Sequence, residues 1–92
     1  MTWFSLGDAM ARTGQYGKAV EYYEKCRQFQ TKPRFTDPQE SIALACELMG
    51  DIPGAIAACE EEISIMASDW NVTRGETVDA VRRQIERLRG KM

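Results

Sequence analysis

The stretch that decides the fold is WFSLGDAMARTGQYGKAVEYYEKC, residues 3–26. Trp3, Leu6 and Met10 recur at spacings of three and four, which places them on one face of a helix. Thr13-Gly14-Gln15 then interrupts the pattern with a residue that can take a turn most side chains resist. The periodicity resumes with Tyr16, Ala19, Val20, Tyr23 and Cys26 on a single stripe, and it runs out in Gln28, Gln30, Thr31 and Lys32 ahead of Pro33. Two helices around a tight turn are expected, about Thr2 to Arg12 and Tyr16 to Gln30.

Working outward, the same design returns. Gly14 and Gly50 are each followed five residues later by an alanine, Ala19 and Ala55, so the two segments share an offset of 36. At that offset Leu6, Gly7 and Met10 fall opposite Ile42, Ala43 and Cys46, and Tyr16 and Tyr23 fall opposite Ile52 and Cys59. Small or apolar residues meet small or apolar ones, as an internal structural repeat requires. After a linker of Lys32-Pro33-Arg34-Phe35-Thr36, the second half opens with Asp37 as expected N-cap, Pro38 at the first helical position and Glu40 placed to close a capping box. Gly50 should end this helix. Pro53 suits the first turn of the next, whose stripe is Ile52, Ile56, Cys59, Ile63 and Met66. A polar break is expected from Ser68 to Thr73, and Thr73 with Glu76 forms a second candidate capping box. The last helix shows Val78, Val81, Ile85 and Leu88 as a narrow stripe with polar residues elsewhere, the pattern of an element that packs on one side only.

These residues resemble the tetratricopeptide repeat, whose hairpin has the form W-x2-L-G, then a glycine turn, a tyrosine, an alanine, an aromatic and a small residue. The first half supplies Trp3, Leu6, Gly7, Gly14, Tyr16, Ala19, Tyr23 and Cys26. The second half keeps Ala43, Gly50, Ile52 and Ala55, while Gln39 stands at the tryptophan position, Cys46 at the tyrosine and Glu62 at the final alanine. The resemblance covers residues 2–67. It implies an all-α chain of antiparallel helix hairpins, about five helices in one domain: repeat 1 over 2–30, repeat 2 over 37–67 and a capping helix over 74–90. Gly7 and Ala19 would let two backbones approach, with Trp3 and Tyr23 filling the space around them.

Composition narrows the function classes. With 92 residues, 43% apolar and 28% charged, the chain makes one ordinary globular domain. There is no histidine, so the commonest general base and transition-metal ligand are missing. Cys26, Cys46 and Cys59 lie too far apart for a zinc or redox motif and are expected as buried thiols that resist reagents in the folded chain. No phosphate loop follows a strand, and Glu61 and Glu62 are adjacent on a helix and point apart. No enzyme activity and no cofactor are expected. Neither a membrane span nor a basic, apolar export signal is present, so a cytoplasmic location is expected.

The resemblance implies a protein-interaction scaffold that takes a peptide or helix of a partner in a concave groove lined by the first helix of each hairpin. On that face helical spacing places Phe4, Asp8, Ala11 and Arg12, then Glu40, Ser41, Leu44, Glu47 and Leu48. The mixture of acids and apolar side chains suits a protein or peptide partner with apolar anchors and basic flanks. The alternative lies in the charge asymmetry. Residues 1–73 carry six basic and eleven acidic groups, and residues 74–92 carry six and three. Arg82, Arg83, Arg87, Arg89 and Lys91 could make the last helix a regulatory or nucleic-acid-associated surface, unless they pair with Glu60, Glu61 and Glu62.

Overall fold

Five α-helices follow one another in the computed structural model, which describes residues 2–92: α1 (Trp3–Arg12), α2 (Tyr16–Gln28), α3 (Asp37–Met49), α4 (Ile52–Trp70) and α5 (Glu76–Arg89). No strand occurs among the described residues. The chain is all-α, as the periodicity near 3.6 requires.

Local chemistry sets the helix ends. Thr2 starts α1 by accepting a hydrogen bond from the Ser5 amide at 3.1 Å. Gly14 and Gly50 both take left-handed backbone, with φ of 80° and 84°, and so close the turns of the two hairpins. Asp51 then caps α4, its Oδ1 accepting from the Gly54 amide at 3.1 Å. Neither expected capping box forms. Asp37 is the first residue inside α3 and Thr36 the cap, with no side-chain cap bond, because Thr36 already has helical backbone and its carbonyl accepts directly from the Glu40 amide at 3.0 Å. Gly75, not Thr73, precedes α5, again without a side-chain cap.

The polar break expected from Ser68 to Thr73 begins only at Asn71, because Ser68, Asp69 and Trp70 form the last turn of α4. Arg34 in the preceding linker holds that turn in place: its amide and Nε each donate to Asp69 Oδ2 at 2.8 Å, and its carbonyl accepts from Trp70 Nε1 at 2.5 Å. Asn71, in left-handed backbone, then ends the helix.

Each helix packs on the next in sequence, α1 on α2, α2 on α3, α3 on α4 and α4 on α5, which gives a slab of 35 × 33 × 16 Å. Small residues control the approach. A Cβ added at Gly7 would lie 2.6 Å from the Tyr23 ring, and Ala19, Ala43 and Ala55 are fully buried. Trp3 departs from its expected core place. It is 39% exposed and stacks on Tyr22 at 5.9 Å, while Phe4 takes the position beside Tyr23. Cys46 and Cys59 are buried and Cys26 is half-buried, so the expectation of full burial fails for Cys26. Val78, Val81, Ile85 and Leu88 of α5 are all buried, in one cluster with Ile56 and Cys59 and with Ile63 at its edge. No helix among the described residues is long and apolar enough to cross a membrane.

Candidate docking groove

The geometry begins with Tyr23. Its ring fills the gap left by Gly7, and its hydroxyl donates to Asp8 Oδ1 at 2.5 Å, which fixes the Asp8 carboxylate at the edge of α1. Burial, followed by the hydrogen bond and charge of Asp8, pushes the Tyr23 phenol up to about 12. Beside this pair, Asp8, Ala11 and Arg12 of α1 and Tyr16 of α2 face Ser41, Leu44 and Leu48 of α3 across a depression of about 200 Å³. A second depression, of about 360 Å³, is lined by Phe4, Asp37, Glu40, Ser41, Leu44 and Gln84. The two share Ser41 and Leu44, so they form one groove running along α3 between α1 and α5.

Eight of the nine residues expected on this face line the groove: Phe4, Asp8, Ala11, Arg12, Glu40, Ser41, Leu44 and Leu48. Glu47 does not. It turns to α5 and the turn that follows it, where Arg87 Nη1 donates at 2.6 Å and Lys91 Nζ at 2.7 Å. Those two hydrogen bonds hold its carboxyl down at about 2. Asp37 and Gln84 also line the groove. Asp37 has the chemistry of a cap in the sequence, and Gln84 belongs to a helix outside the repeat pattern, visible in sequence only as the polar shoulder of the Val81–Ile85 stripe.

The groove is apolar along its floor and polar at its ends. Leu44 and Leu48 of α3 are 58% and 56% exposed, and Met49 at the end of the helix is 44% exposed, while Ile42, Ala43, Ala45 and Cys46 are buried. Arg12 stands at one end, Asp37 and Glu40 at the other. Among the described residues no group of histidine, cysteine or carboxylate side chains is placed to hold a metal ion. The pairing expected between the basic last helix and the glutamates of α4 is not formed. Arg89 meets Glu86, Glu61 meets Arg27, and Glu62 is buried.

A family model of the tetratricopeptide repeat matches residues 1–31. Over these residues the first hairpin is similar to a tetratricopeptide repeat. In this repeat the signature residues Gly7, Ala19 and Tyr23 make the helix contact described above, and Gly14 makes the turn. The chain has no match among curated proteins or solved structures. Repeats of this family are non-catalytic and generally mediate protein–protein interaction.

Proposed function

We propose that the chain is a protein-interaction scaffold whose groove along α3 takes a short peptide or helix carrying apolar anchors and basic flanks. The observation that carries this reading is the exposure of Leu44 and Leu48 within a continuous groove whose far end is acidic. A helix of a folded domain rarely exposes two large apolar side chains one turn apart beside a cleft unless something covers them. Helix-in-groove recognition needs such anchors, and charges at the ends set orientation. The other reading, nucleic-acid contact through α5, has less support because Arg87, Lys91 and Arg89 are already engaged by glutamates.

The test compares leucine-anchored peptides with lysine flanks and with glutamate flanks. The lysine peptide should bind better. Leu44→Ser should weaken it roughly tenfold to a hundredfold, the loss of one buried apolar anchor, and Glu40→Lys should reverse the charge preference. Both residues are exposed, so helical circular dichroism should not change. Equal binding by both variants would place the docking surface elsewhere.

A further inference from the structure

On α4, which packs against the α3 helix that carries the acidic end of the groove, lies a carboxyl group that the docking reading does not use. Glu62 of α4 occupies the repeat position where the family pattern has alanine, and its side chain is only 3% exposed. Its Oε2 is buried and has no hydrogen-bond partner. The charges acting on it are those of Glu40 and Asp37, the two acids that line the groove. No cation offsets them. On the α5 side the packing residues are Val78, Val81, Ile85 and Leu88, and Arg87 is held by Glu47. On the α2 side Arg27 is held by Glu24 and Glu61. One turn back on α4 the neighbouring titratable group is the buried Cys59 thiol.

We infer that docking of a cationic peptide at Asp37 and Glu40 drives a proton from Glu62 into solvent, so that the partner binds more tightly as pH rises through neutrality. This inference rests on the docking reading above and names how that site is regulated. Burial first, then the repulsion of Glu40 and Asp37, pushes the Glu62 carboxyl up to about 7. A lysine or arginine side chain bound to those two acids cancels their repulsion and attracts the ionised form of Glu62. Linkage is reciprocal: whatever lowers the Glu62 pKa on binding makes ionised Glu62 favour binding by the same factor. The chain has no histidine, so no other side chain ordinarily titrates in this range.

The experiment is calorimetric titration of the full chain with the lysine-flanked leucine peptide and with a glutamine-flanked counterpart, at pH 6 and pH 8, in buffers of different ionisation enthalpy. The lysine peptide should bind up to about tenfold more tightly at pH 8 for each pKa unit by which docking lowers Glu62. It should release a fraction of a proton at neutral pH, and the glutamine peptide should release less. Glu62→Gln should abolish both the pH dependence and the proton release, which also subtracts any contribution of the α-amino group. Lysine-peptide binding that is independent of pH, or a dependence that survives in Glu62→Gln, would overturn the inference and leave the groove standing. If Glu62→Gln fails to fold, the proton release by the unmodified chain with the lysine peptide in excess of that with the glutamine peptide decides, and the absence of an excess overturns the proposal. Failure of both peptides to bind at either pH would overturn the docking reading itself.

Discussion

Burial, then the charges of Glu40 and Asp37, disfavour the ionised form of Glu62, and the consequence for folding has a definite sign. A carboxyl near the ordinary value of 4.5 in the unfolded chain and near 7 in the folded one holds its proton more firmly when folded. The stabilisation from the neutral form is complete below about pH 4.5 and is lost as pH rises through about 7. The full span corresponds to about 3 kcal/mol, since each pKa unit is worth about 1.4 kcal/mol. Urea denaturation of the unmodified chain should therefore show stability falling between pH 5 and pH 8, and Glu62→Gln should flatten that slope. A stability that rises over the same interval would contradict the assignment. Glu47 behaves in the opposite way. Arg87 and Lys91 hold it near 2, so its contribution persists until strongly acid pH.

At the scale of the element, α5 is the one whose removal is most informative. Its four buried residues contribute about 1.5–3 kcal/mol each by transfer of apolar area, a large share of the 5–15 kcal/mol typical of a whole domain. It also ties α3 through the Glu47 contacts and supplies Gln84 to the groove. A chain ending after Val72 should melt at a markedly lower temperature, or associate through the bared Ile56 and Cys59 flank. A truncated monomer with an unchanged melt would make α5 an accessory. This helix also marks how far the sequence is legible. Its stripe is readable because a one-sided apolar pattern has a single physical solution, and the two hairpins are readable because Gly14, Gly50 and the paired alanines fix turn and approach. The far end of α4 is not readable. Ser68, Asp69 and Trp70 look like a break until Arg34, 35 residues away from Asp69, pairs with that carboxylate. Capping fails for a related reason: Asp37 and Thr73 have the right chemistry, but the linker backbone reaches the helices one or two residues away from them.

For the whole molecule, the helices arrange their charge so that one face stays open. Glu47 is turned away from the groove by α5, and Asp8 is fixed by Tyr23. That leaves Leu44 and Leu48 uncovered between Arg12 and the Asp37–Glu40 pair. Helical spacing brings most of these residues together on paper, since position on a helix face follows from sequence. The partner of Glu47 does not follow, because it lies 40 residues on, in a helix outside the repeat. The burial of Glu62 is legible only from its place at the alanine position of the repeat, against what its charge favours. The groove account is tested most directly by titrating isotope-labelled protein with the lysine-flanked leucine peptide and following its amide resonances. Shifts should concentrate at Asp8, Ala11, Ser41, Leu44 and Leu48, with Gln84 at the margin. Shifts concentrated instead at Glu60, Ile63 and Arg82, on the opposite side between α4 and α5, would contradict it.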